Sequence, residues 1–141
     1  MTTIVEGRPL PEANELTQPF WDGCREHRLL VPGCDRCGNR FFVPQPICPA
    51  CWSAEWHWAQ SPGVGTIYTF TVVYRPAHPD LRVPYVVIAV DLDDGWTMMS
   101  NLVDYPPEDV RIGQRVEVTF RAVGGTTLPF FNPLPDKEPA P

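Results

Sequence analysis

Four cysteines are the residues best placed to do chemistry: Cys34-Asp35-Arg36-Cys37-Gly38, then Cys48-Pro49-Ala50-Cys51. They read C-x2-C-x10-C-x2-C. Two residues between paired cysteines let both sulfurs turn around one ion, and a second such turn completes a tetrahedral S4 shell. Gly38 suits the left-handed residue that such a knuckle needs, and Pro49 fixes the backbone of the second knuckle. A closed thiolate shell favours Zn2+ and leaves no position for substrate, so the ion is expected to be structural. The segment from Arg25 to Cys51 cannot bury a core of its own, and chains this short need a metal or disulfides.

Three other chemistries use similar spacings. A rubredoxin-like iron centre would carry electrons. Disulfides would leave Cys24 over, and the start Met-Thr-Thr-Ile-Val-Glu does not read as a signal peptide. A redox pair at Cys48 and Cys51 would need a strand before it and a helix after it; prolines precede it and no helical pattern follows. Cys24 itself reads as a small buried apolar residue.

The other titratable groups form no catalytic set. His27, His57 and His78 are scattered, and no serine sits in a nucleophile motif. The one lysine, Lys137, lies in a proline-rich tail. Asp93-Asp94 precede Gly95 and read as a solvated hairpin turn. The formal net charge is −6, and four thiolates around a divalent ion make it more negative. That weighs against a nucleic-acid partner, whose affinity rests on phosphate neutralisation. The longest apolar run, Tyr85 to Val90, is far short of a membrane span. A cytoplasmic protein without membrane contact is expected.

The 18 prolines in 141 residues argue for strands, loops and extended arms over a helical bundle. Residues 1–16 read as an extended arm, either docked or disordered. Thr17 is expected to cap a short helix over Gln18 to Glu26, with Phe20 and Cys24 on one face. Arg28–Val31 and Phe41–Val43 read as the two strands of a ribbon hairpin. Trp52, Trp56 and Trp58 are expected to pack the ribbon against the next domain. From Gly63 the pattern is β: strands over Val64–Tyr74, Tyr85–Leu92, Trp96–Leu102, Arg115–Phe120 and a short Leu128–Asn132. Pro129 interrupts the last, and proline is confined to edges and bulges. The one helical candidate after Gly63 lies at Pro106–Asp109. Five strands with that placement fit an OB-fold. The expected fold is mainly β, an N-terminal helix and rubredoxin-like zinc ribbon followed by a five-stranded OB-fold barrel. The expected parts are an arm and helix over 1–27, the ribbon over 28–60, the barrel over 61–133 and a tail over 134–141.

This order of elements resembles the acyl-CoA-associated zinc-ribbon/OB-fold proteins, long described only as a domain of unknown function. The resemblance runs from Phe20-Trp21 to Phe131-Asn132-Pro133. It is carried by Cys34-x-x-Cys37-Gly38, Cys48-Pro49-x-Cys51, Gly63-x-Gly65-x-Ile67-Tyr68-x-Phe70-Thr71, Pro84-Tyr85 and Ile112-Gly113-x-x-Val116. It implies a non-catalytic accessory subunit of a thiolase-fold enzyme, a thiolase or a retro-aldolase of steroid side-chain degradation. The partner would supply the catalytic groups, and this chain would support it and help form its acyl-CoA channel. Expected contacts with partner or ligand are Arg75, His78 and Arg82 on one loop, and Phe130 and Phe131; either arginine could pair with a CoA phosphate. The competing reading is a single-stranded nucleic-acid-binding module, a use to which ribbons and OB-folds are both put.

Overall fold

The computed structural model describes residues 8–135. The first residues of the expected arm, 1–7, and most of the expected tail, 136–141 with Lys137, lie outside the described residues. Helix α1 spans Gln18–Arg25 and carries Pro19 in its first turn, where a missing N–H costs nothing. Thr17 does not cap it. Its Oγ1 accepts from the Asn14 N–H, and the Thr17 N–H donates to Asn14 Oδ1. The hydroxyl holds the preceding turn and is not available to the helix. Phe20, Gly23 and Cys24 form the buried face.

Strand β1, Leu29–Cys34, runs antiparallel to β2, Trp56–Ser61. This corrects the expected hairpin. Phe41–Val43 is not a strand; its side of the knuckle keeps only a bridge between Gly33 and Arg40. Its aromatic rings serve as wedges instead. Phe41 packs edge-on against Trp56 inside the ribbon. Phe42 lies between Phe20 of α1 and Trp96 of the barrel, tilted against both rings, with centroids 5.1 and 5.5 Å away.

The barrel consists of β3 (Val64–Val73), β4 (Tyr85–Leu92), β5 (Trp96–Leu102), β6 (Arg115–Val123) and β7 (Thr126–Pro133). A 3-10 turn at Pro107–Asp109 lies between β5 and β6. The order β3-β4-β5-β7-β6 closes on itself, with β5 and β7 parallel where they meet at Leu102 and Phe131. This is the OB-fold's Greek-key closure. Alternate residues of β4, Val86, Ile88, Val90 and Leu92, point into the core. A register shift between Ile67 and Thr69 throws Tyr68 outward, as a bulge does.

Strand β7 is longer than the sequence led one to expect. It pairs with β6 from Thr126 through Pro133 despite Pro129. The Pro129 carbonyl accepts from Ser100 Oγ of β5, so the backbone of this residue turns toward β5. Only one residue pair joins that side, and no ladder hydrogen bond is lost to the missing N–H.

Phe20, Cys24, Leu29 and Val31 belong to the same buried cluster as Ile67, Ile88, Trp96 and Phe131. Helix, ribbon and barrel therefore share one core. Each large apolar side chain so buried contributes roughly 1.5–3 kcal/mol.

Candidate functional site

Functional geometry is found, among the described residues, at the cysteine cluster and in a groove where arm, helix, ribbon and barrel meet.

The sulfurs of Cys34, Cys37, Cys48 and Cys51 all lie within 4.8 Å of one another. Cys34 and Cys51 are 3.5 Å apart, and Cys37 and Cys48 3.7 Å. A tetrahedral ion with metal–sulfur bonds of about 2.3 Å requires sulfur–sulfur edges of about 3.8 Å, so the cluster fits one such ion. The backbone prepares it. The Cys37 N–H is aimed at the Cys34 sulfur and holds its pKa below the ordinary thiol value. Burial works against the Cys48 thiolate, yet N–H groups of Cys51 and Ala50 and the Asn39 amide draw its pKa down to about 6. Cys37 is hydrogen-bonded from the Asn39 backbone, but burial and the neighbouring sulfurs push it up to about 12. Four thiolates so close need a cation among them. The expected ligand set comes together. The fifth cysteine does not: Cys24 is wholly buried, and burial pushes its thiol up to about 12, which removes nucleophilic character.

The two knuckles use the same turn. Gly38 and Trp52 each follow the second cysteine of a pair, with φ of 76° and 66°. Their N–H groups donate to the carbonyls of Cys34 and Cys48. The tryptophans do not share the expected task. Trp58 packs on the common core, and Trp56 packs beside Phe41 within the ribbon and donates to the Pro46 carbonyl. Trp52 is 78% exposed and packs the ribbon against nothing.

Asp94 corrects the reading of Asp93-Asp94 as a solvated turn. Asp93 does face solvent, paired with both terminal guanidinium nitrogens of Arg115. The Asp94 carboxylate instead accepts from Arg40 of the ribbon, from Ser61 Oγ at 2.9 Å and from the Trp96 indole N–H at 2.9 Å. It joins ribbon and barrel. Nothing in the local sequence separates it from its neighbour Asp93; its partner Arg40 is remote in the chain.

The groove has a volume of about 560 Å³. Phe20 and Trp21 of α1, Phe42 and Val43 of the ribbon, and Met99 and Phe130 of the barrel form much of its wall. The arm closes one side: Leu10 packs against the small cluster of Val103, Val123, Leu128 and Phe130. The described part of the arm thus docks on its own barrel. A second cavity of about 280 Å³ adjoins along Met99, Ser100 and Asn101 and reaches Leu81 and Tyr85.

Of the expected contact residues, Phe130 lines the groove while being 3% exposed. Phe131 points the other way along the strand and is fully buried in the barrel core. It has no surface to offer a partner, so that expectation is corrected. Arg75, His78 and Arg82 all lie on the loop between β3 and β4. Both arginines are exposed and line neither cavity. His78 Nδ1 accepts from the Asp80 N–H. The sequence offered no sign of the groove residues Arg8, Phe42 and Met99, because they come from three separate elements.

Comparison with known proteins matches the chain in two adjoining stretches. Family profiles match residues 21–57, as the rubredoxin-like zinc ribbon domain of ChsH2, and residues 58–121, as its C-terminal OB-fold domain. A "DUF35 domain-containing scaffold protein" of Methanocaldococcus jannaschii is 34% identical, over 73% of this chain and 75% of the relative. A "Probable enoyl-CoA hydratase alpha subunit" of Thermomonospora curvata is 33% identical over 93% of this chain. The chain spans only 41% of that relative's length. Among solved structures, a chain of the "Ltp2-ChsH2(DUF35) aldolase" superposes with a TM-score of 0.80 at 31% identity, covering 88% of this chain and 98% of that one. No helix among the described residues is long and apolar enough to cross a membrane.

Proposed function

Because the chain belongs to the ChsH2/DUF35 family of zinc-ribbon and OB-fold proteins, we propose that it is a non-catalytic accessory subunit of a thiolase-fold enzyme. The partner makes or breaks carbon–carbon bonds in acyl-CoA substrates, as a thiolase or a retro-aldolase. The observation that carries this reading is the superposition on a chain of the Ltp2-ChsH2(DUF35) aldolase along nearly the whole of both chains.

The side chains support a scaffold. Asp22, Asp35, Asp93, Asp94 and Asp104 are each engaged by an arginine or histidine in structural pairs. The Zn2+ held by Cys34, Cys37, Cys48 and Cys51 is structural, since four protein ligands complete its shell. It fixes the knuckles, and through Phe42 and Arg40 it fixes the groove and the joint with the barrel. The chain works in the cytosol, where such thiols stay reduced. Acyl-CoA is met as the partner's substrate, along a channel to which this subunit contributes a wall. A steroid side chain is the substrate that the family resemblance favours.

A tagged chain purified from its native cells with nuclease present tests the proposal. A thiolase-fold enzyme should co-purify in stoichiometric amount. If the chain comes down alone, or only with nucleoprotein when nuclease is omitted, the accessory reading fails and nucleic-acid binding takes its place.

A further inference from the structure

Arg8 is the one charged residue lining either cavity among the described residues. In a chain of net charge −6, no carboxylate of the described residues lines either cavity. Its guanidinium sits over the Phe130 ring, 5.8 Å from the centroid. Its Nε is buried and has no hydrogen-bond partner among the described residues. A buried donor left unpaired is destabilising, and an acceptor arriving from outside would relieve it.

The neighbouring polar side chains each hold a partner. The Asn14 and Thr17 side-chain oxygens accept from each other's backbone N–H groups. Ser100 Oγ donates to the Pro129 carbonyl, and Asn101 Nδ2 donates to the Val86 carbonyl. The groove therefore has an apolar body, one unspent cationic donor, and a volume of about 560 Å³. That volume lies within the range of small-molecule sites, roughly 300–1,000 Å³.

We propose that the groove binds an apolar carboxylate of fatty-acid size. Its chain lies against Phe20, Phe42, Met99 and Phe130, and its carboxylate accepts charge-assisted hydrogen bonds from Arg8. This site belongs to the chain itself and needs no partner enzyme, so it stands or falls separately from the accessory role.

The test uses the full zinc-loaded chain and two probes, sodium dodecanoate and 1-dodecanol, below the concentration at which either aggregates. Binding is measured by calorimetry, with folding checked by circular dichroism. Dodecanoate should bind saturably at one per chain. Arg8→Gln should weaken it at least tenfold and leave 1-dodecanol unchanged. Met99→Glu places a negative charge on the exposed groove wall and should weaken dodecanoate without unfolding the barrel. Absence of saturable binding overturns the proposal, as does equal affinity in Arg8→Gln. An equal loss for both probes removes the carboxylate contact. If dodecanoate does not bind while Met99→Glu abolishes capture of a partner protein or of a second copy, the groove is a protein interface and the ligand proposal is wrong.

Discussion

Asp94 and Trp52 are the residues where single substitutions say most. Asp94 accepts from Arg40, Ser61 and Trp96, and its side chain is 15% exposed. Asp94→Ala strands three donors at the joint between ribbon and barrel. It should cost about 2–4 kcal/mol in urea unfolding, the range for breaking a partly buried charge network. Asp93→Ala, one position away, removes an exposed pair and should cost no more than about 1 kcal/mol. Hydrogen bonds from Arg115 hold the Asp93 carboxyl below its usual range. That small contribution is therefore present above the ordinary carboxylate pKa and is lost as pH falls through the lowered one. Trp52 occupies, at φ 66°, the left-handed position that Gly38 fills in the twin knuckle. A side chain there is strained by about 1–2 kcal/mol, and this one packs little. Trp52→Gly should raise the midpoint of thermal unfolding; a lowered midpoint would mean that the indole contributes more than its exposure indicates. The four metal ligands were legible because spacing alone defines a knuckle. The second left-handed residue was not, because no glycine marks it.

Among the elements, the barrel strands were readable because alternation is local. Val86, Ile88, Val90 and Leu92 announce a buried face within one strand. The β1–β2 pairing was not, because Cys34 pairs with Trp56 across the whole metal loop. Phe41–Val43 has the composition of a strand, but its rings are spent on Trp56, Phe20 and Trp96. The groove was invisible for a related reason: tertiary packing alone brings Arg8, Phe42 and Met99 together. The ribbon's own buried cluster is small, Cys34, Phe41 and Cys48 with Trp56 beside them. It depends on the ion, which at such sites is worth roughly 10–16 kcal/mol of apparent free energy. Chelation should thus unfold residues 35–55 while the barrel persists. Hydrogen exchange would show this as lost protection confined to the knuckles. Simultaneous loss from β4 and β5 would mean that the shared core cannot survive without the ribbon.

At the scale of the whole molecule, one core runs from α1 through the ribbon into the barrel, so the chain presents its surfaces in fixed relation to one another. Those surfaces are apolar in places where a lone domain has no need of it: Val43, Trp52, Tyr74 and Met99 are each more than 60% exposed. Of these, Val43 and Met99 lie together on the wall of one groove, and contiguous apolar surface of that kind marks interaction sites. The carboxylates of Asp22, Asp35, Asp93, Asp94 and Asp104 are committed to structural pairs, in keeping with the accessory role proposed above. The most direct measurement is a carbon–carbon cleavage assay on an acyl-CoA substrate with the co-purifying thiolase-fold enzyme, the chain added or withheld. The account predicts no turnover from the chain alone, and activity of the partner that rises with the chain and saturates at a fixed ratio. Turnover by the purified chain alone, or partner activity indifferent to its presence, would contradict it.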